Sequence, residues 1–196
     1  MKIGVLALQG AFAEHEKVLE QLGAECIELR QARNLSEPYD ALVLPGGEST
    51  VQGKLLKELS MFDTIKSQIQ NGMPVLATCA GAILLAETID GQMKGQPDQY
   101  FGTIPMRIRR NAYGRQLGSF HTEAQVAGIG TVPMTFIRAP YIASVGNGVE
   151  VLAVVEERIV GVKYKNQVAF SFHPELDPDV RIHKAFLEND IRRINN

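Results

Sequence analysis

Apolar and polar positions fall into blocks along the first half of the chain. A continuous apolar run at 3–8 ends at Gln9-Gly10. A run with no polar face predicts a strand covered on both sides. Phe12, Val18, Leu19 and Leu22 then recur at helical spacing, which predicts a helix over 11–22 closed by Gly23. Two further strands are predicted at 26–29 and at 41–44, the second stopped by Pro45-Gly46-Gly47. Leu55, Leu56, Leu59, Phe62, Ile65 and Ile69 lay one apolar face along a helix over 49–70. A fourth strand fits 75–78, and a helix begins over 80–88. Strands alternating with helices in this way predict an α/β fold: a doubly wound, mainly parallel sheet with helices on both faces.

The second half changes period. Residues 90–102 are polar and glycine-bearing and predict an exposed loop. Short β-like runs follow at 103–109, 119–126, 134–137, 150–155, 158–164 and 168–172. Turns such as Gly146-Asn147-Gly148 and Lys165-Asn166-Gln167 punctuate them, so they read as hairpins added to the sheet. A last helix fits 178–194. There is no internal repeat, low-complexity tract or linker, and one domain over 1–196 is the simplest organisation.

Composition narrows the classes. The net charge of -2 carries no acidic or basic block. Arg107, Arg109, Arg110 and Arg115 are the nearest thing to a basic footprint, which is too little for a nucleic-acid surface. The two cysteines, Cys26 and Cys79, cannot make a disulfide scaffold and form no Cys-x-x-Cys pair. The four histidines, His15, His121, His173 and His183, lack zinc-site spacing. The apolar start is too short to span a membrane and fits a buried strand better than a leader, so a cytoplasmic, reducing setting is expected.

Three stretches carry the candidate chemistry. Ala77-Thr78-Cys79-Ala80-Gly81 lies at a strand-to-helix junction. A nucleophile on such a turn is presented at the sheet's carboxyl edge, and the helix N-terminus behind it favours a thiolate and offers N–H groups to an oxyanion. A small buried core cysteine is the bland alternative. Phe172-His173-Pro174-Glu175 follows an apolar run. His173 can take and return a proton there, and Glu175 can hold its second nitrogen, unless the pair is a surface loop histidine beside a helix-start Glu. Pro45-Gly46-Gly47-Glu48-Ser49-Thr50 combines close backbone approach with N–H groups for an anion, and equally suits a plain turn capped by Ser49 or Thr50. Arg110 and Arg138 suit either a carboxylate fork or surface ion pairs. His15 reads as a partly exposed helix residue, His121 and His183 have no evident partner, and Cys26 reads as core.

In this order, the three stretches resemble the class I glutamine amidotransferase family. With Leu8-Gln9-Gly10-Ala11, Arg110-Asn111-Ala112-Tyr113-Gly114-Arg115-Gln116 and Phe136-Ile137-Arg138-Ala139-Pro140, the whole is similar to one branch, the glutaminase subunits of pyridoxal 5'-phosphate synthases. The resemblance implies Cys79 as nucleophile, His173 as general base and acid, and Glu175 as orienting carboxylate. It implies that Gly47, Glu48, Ser49, Arg110, Ile137 and Arg138 contact L-glutamine. Gly47 and Ala80 would supply oxyanion N–H groups, with Gln9 beside the hole. It further implies a TIM-barrel synthase subunit as partner in a hetero-oligomer, ammonia passed inside the complex, and no cofactor for this chain. Three positions depart from the branch pattern: Ala77 stands where Gly is usual, Ala13 where Arg is expected, and Val51 where Thr is usual. A stand-alone cysteine hydrolase, a catalytically silent regulatory subunit and a plain ligand-binding module remain as alternatives.

Overall fold

The computed structural model describes residues 1–91, 100–110 and 119–191. Its centre is a run of five parallel strands in the order β2-β1-β3-β4-β12: β1 (Lys2–Leu6), β2 (Glu25–Leu29), β3 (Ala41–Leu44), β4 (Val75–Thr78) and β12 (Gln167–Phe170). Alternate residues of these strands feed opposite faces. Ile3, Val5, Ala41, Val43 and Leu76 pack in one core with Leu19, Phe170, Ile182 and Phe186. Leu6, Leu42, Leu44, Val75 and Ala77 pack in the other with Leu56, Phe62, Ile65 and Ile69. Both faces being covered explains why the strands read as unbroken apolar runs.

Helix α1 (Phe12–Gln21) connects β1 to β2. Helices α2 (Ser49–Glu58) and α3 (Phe62–Gln70) connect β3 to β4, and α4 (Ala80–Leu85) follows β4 at once. The single helix expected over 49–70 is therefore two. Ser60 turns left-handed (φ 55°), and Met61 N–H bonds back to the Leu56 carbonyl at 2.9 Å while Ser60 N–H bonds Lys57. This closes α2 as glycine-ended helices close, but without a glycine. The apolar spacing runs through the break because both helices face the same core.

The helix expected over 80–88 is also shorter. It stops at Leu85, and Ala86–Asp90 extends as β5, paired parallel with β6 (Ile104–Arg109). β9 (Tyr141–Val145) had no sequence signal. Only Ile142 of its five residues is buried, and it is held by pairing with β6 and β11.

The remaining strands form the expected hairpins. β7 (Ser119–Val126) pairs antiparallel with β8 (Gly130–Ile137), which starts four residues earlier than its apolar core suggested. β10 (Glu150–Val155), β11 (Arg158–Tyr164) and β12 follow antiparallel to one another, extending the sheet to β7 and β8. The last helix is α5 (Arg181–Ala185) continued by a π-helical turn, Phe186–Ile191. Residues 192–194 of the expected helix, most of the 90–102 loop, and Asn111 to Gln116 lie outside the described residues. Among the described residues no helix is long and apolar enough to cross a membrane.

Candidate active site

In an open sheet of this kind, ligands bind beyond the carboxyl ends of the strands, where strand order reverses. Four such ends meet here. Gln9-Gly10 follows β1, Pro45-Gly46-Gly47 follows β3, Cys79 follows β4 and His173 follows β12. Together they wall a cleft of about 350 Å³. Gln9, Gly47, Glu48, Ser49, Cys79, Arg110, Ile137, Arg138 and His173, all singled out in the sequence, line it. Ala80 lies just behind, buried at the start of α4.

Cys79 carries φ 47° and ψ -102°, a conformation that costs a non-glycine residue on the order of 1–3 kcal/mol. The surroundings hold it there. Its N–H bonds the Phe170 carbonyl at 2.8 Å, and its carbonyl accepts from Ile83 N–H at 3.2 Å. Gly81 allows α4 to lie against β3: a Cβ at that position would fall 2.0 Å from the Leu44 carbonyl oxygen. The strained turn is thus the outcome of close helix–strand packing, and it presents the sulfur to the cleft.

His173 is buried, and its N–H bonds the Thr135 carbonyl at 2.8 Å. Its Nδ1 lies 2.6 Å from Glu175 Oε1, and the ring lines the same cleft as Cys79. Burial works against a charged imidazole, but the bonds to Cys79 and Glu175 and their charges outweigh it, so its pKa is raised to about 10. Glu175 is lowered: burial opposes its ionisation, and His15 together with the bond to His173 overcomes that. A protonated imidazole therefore sits against the Glu175 carboxylate, in the same cleft as the Cys79 sulfur. Gly46 packs against the ring so tightly that a Cβ there would fall 2.2 Å from His173 Cε1.

The mouth is polar on one side. Arg138 pairs with Glu48 at 3.4 Å, both exposed. Arg110 bonds the Tyr100 hydroxyl and stacks 5.2 Å over its ring, while its buried Nε has no partner among the described residues. Burial lowers the Arg110 pKa, with Glu48 acting in the opposite direction. Gln9 Oε1 accepts from Glu48 N–H at 2.7 Å, and Gln52 Nε2 donates to the Gln9 carbonyl at 2.9 Å and to the Pro45 carbonyl at 3.2 Å. The turn after β3 is therefore tied to the turn after β1.

A family model for the SNO glutamine amidotransferases matches residues 5–192. The chain belongs to that family. Among SNO glutamine amidotransferases and their relatives, the chain is 60% identical over 189 residues to a protein of Desulfitobacterium hafniense strain Y51 named pyridoxal 5'-phosphate synthase subunit PdxT, covering 96% of this chain and 93% of the relative. A protein of the same name from Streptococcus pneumoniae serotype 2 strain D39 is 54% identical over 190 residues, covering 95% and 96%. A crystal structure titled as a glutamine amidotransferase is 43% identical, with a TM-score of 0.88 over 95% of this chain and 97% of that one.

Two histidines read differently in the structure. His15 is fully buried on the inner face of α1, not partly exposed, and His183 is buried opposite it on α5. The signal for His15 was present: it lies three residues after Phe12 and three before Val18, on the apolar stripe. Tyr100 and Gln52 were also missed, and Thr78 was noted only as part of the turn at Cys79. Each is an ordinary polar residue whose position matters only once the strand ends are brought together.

Proposed function

We propose that this chain is a glutaminase subunit, a single domain over 1–196, which hydrolyses L-glutamine to L-glutamate and ammonia for pyridoxal 5'-phosphate synthesis. The relatives' shared name carries the pathway, and the cleft supports the chemistry. The observation that bears most weight is an imidazole bonded to a buried Glu175 in the same cleft as a strained Cys79, at the sheet's carboxyl edge. Such a set is suited to acyl transfer.

In this reading the Cys79 thiolate attacks the side-chain amide carbon of glutamine. The oxyanion is received by the backbone N–H groups of Gly47 and Ala80, with Gln9 beside them. His173, already protonated, gives its proton to the amide nitrogen, and ammonia leaves as the thioester forms. His173, now neutral, takes a proton from water, and the resulting hydroxide displaces Cys79 to give glutamate. Glu175 holds the ring in the orientation both steps need. Glu48 and Ser49 line the substrate's path, Ile137 forms its apolar wall, and Arg110 and Arg138 are the cations available to its α-carboxylate.

The partner in this reading is a TIM-barrel synthase subunit that receives the ammonia, and the complex works in the cytoplasm. Val51, Ile137 and Leu176 are exposed apolar side chains, and the last two stand on the cleft wall, where a docked subunit would cover them. The test is glutamate release from glutamine, with and without the synthase subunit. Release that rises strongly with the partner and vanishes in Cys79→Ala is expected. Equal activity alone and in complex would make the protein a free-standing hydrolase, and activity surviving in Cys79→Ala would remove the triad.

A further inference from the structure

The triad does not end at Glu175. Its carboxylate is buried, and only Oε1 is bonded to His173. Oε2 is enclosed without a hydrogen bond of good geometry, and His15 Nε2 stands 3.4 Å from it. The same His15 nitrogen lies 3.0 Å from Thr78 Oγ1, which accepts from Gly46 N–H at 3.1 Å. His15 Nδ1 lies 2.9 Å from His183 Nε2. His183 Nδ1 is buried and has no partner among the described residues.

These contacts decide where the protons sit. A bare nitrogen lone pair facing a carboxylate oxygen in a dry interior is repulsive, and an N–H there is attractive. His15 Nε2 therefore carries hydrogen and directs it between Glu175 Oε2 and Thr78 Oγ1. His15 Nδ1 is then an acceptor and takes the N–H of His183 Nε2. His183 Nδ1 is left as a bare acceptor. The opposite arrangement would strand an N–H at His183 Nδ1 and leave Oε2 without any donor. Orphaned buried donors are the rarer and costlier case. Both histidines are accordingly neutral donors: burial lowers His15, and burial with its neighbour lowers His183 to about 3.

We infer that His15 is a positioning residue for the glutaminase triad: its Nε2–H, bonded to Thr78 Oγ1, stands 3.4 Å from the second oxygen of Glu175 and holds it by electrostatic attraction, with the tautomer that does so set by His183. The inference rests on the reading of Cys79, His173 and Glu175 as the catalytic set. A carboxylate held by one oxygen can rotate about its last bond. Held at both, it presents Oε1 to His173 Nδ1 in one plane. By its bond to Thr78, the same histidine also ties the residue before Cys79 to the turn at Gly46, so one side chain couples the three strand ends that carry the chemistry. The titratable groups around it are Glu175, His173, His183 and, further out, Glu14.

The experiment compares His15→Gln and His15→Asn, each assayed for glutamine hydrolysis in complex with the synthase subunit across pH. A glutamine amide reaches the position of Nε2 and keeps a donor for Glu175. An asparagine amide reaches only the position of Nδ1, facing His183. Well-placed acid–base catalysis is worth roughly 100- to 10,000-fold. Losing the alignment of its carboxylate is expected to lower kcat on the order of tenfold in His15→Asn, with KM within about twofold of wild type. The alkaline limb of its kcat profile moves to lower pH, because a loosened Glu175 holds the His173 proton less firmly. His15→Gln restores both. Equal losses in the two variants, or a His15→Asn enzyme with wild-type kcat and pH limb, would overturn the inference. Absence of hydrolysis by the wild-type complex would instead overturn the glutaminase reading itself.

Discussion

Gly46→Ala is a one-methyl perturbation aimed at the imidazole of His173, the proposed general acid and base. A Cβ at Gly46 would lie 2.2 Å from His173 Cε1, 2.9 Å from Nδ1 and 3.2 Å from Nε2. Carbon pairs settle at about 3.5 Å or more. The ring or the turn must therefore yield by roughly 1.3 Å, the difference between about 3.5 Å and the 2.2 Å available. The ring has little room: it is buried, and its Nδ1 bond to Glu175 is 2.6 Å long. A shift of that size away from Glu175 takes the bond beyond hydrogen-bonding range. Displacing a catalytic group by about 1 Å costs on the order of 100-fold. We expect kcat for glutamate release by the complex to fall about 100-fold or more. Overpacking should also cost about 1–3 kcal/mol of stability, read from a denaturant midpoint. A Gly46→Ala enzyme within about threefold of wild-type kcat, a barrier change under about 1 kcal/mol, would refute the reasoning. It would mean that the turn after β3 is compliant and that contact with His173 does not set the ring's position.

Other consequences are open to measurement. His173 has its pKa raised from 6.5 to about 10, so its charged form stabilises the fold fully below about 6.5, and that contribution is lost as pH rises through about 10. Glu175→Gln should therefore lower Tm most near pH 6, with the deficit narrowing toward pH 10; a deficit constant over that range would contradict the assignment. Arg110→Met should raise KM for glutamine about tenfold or more while leaving kcat within a fewfold, the signature of lost uniform binding; a loss confined to kcat would argue against a carboxylate contact. Leu44 is fully buried where β3 meets Gly81 of α4. Leu44→Ala should cost about 2–5 kcal/mol in denaturant unfolding, and a cost under 1 kcal/mol would mean that the junction repacks freely.

The parallel core and the turns proposed to carry the chemistry were legible because their signals are local. β3 and β4 match their apolar runs residue for residue, as strands buried on both faces should. Gly46, Gly47 and Cys79 stand out because the residues immediately around them restrict the backbone. Signals weaken where a polar or small residue replaces the usual marker. Ser60 ends α2 in a conformation that glycine normally takes, so two helices looked like one. β9 has too few buried positions to alternate visibly, and its strand character comes from its neighbours β6 and β11.

His15 shows where reading along the chain stops. Its place on the apolar stripe of α1 was visible, but a polar residue on such a stripe is either exposed at its edge or buried with partners. The partners are far away in sequence: Thr78 is 63 residues on, and His183 is 168. By itself, the sequence determined the α/β class and marked the strand ends and the residues Cys79, His173 and Glu175 as candidates, because each depends on short-range periodicity or on residues adjacent in the chain. Only the tertiary structure decided which strands lie side by side, that the imidazole bonded to Glu175 shares a cleft with Cys79, and that a second buried histidine stands against the carboxylate. Those facts follow from sheet order and from the burial of polar groups that must find partners across the core, and no local pattern encodes either.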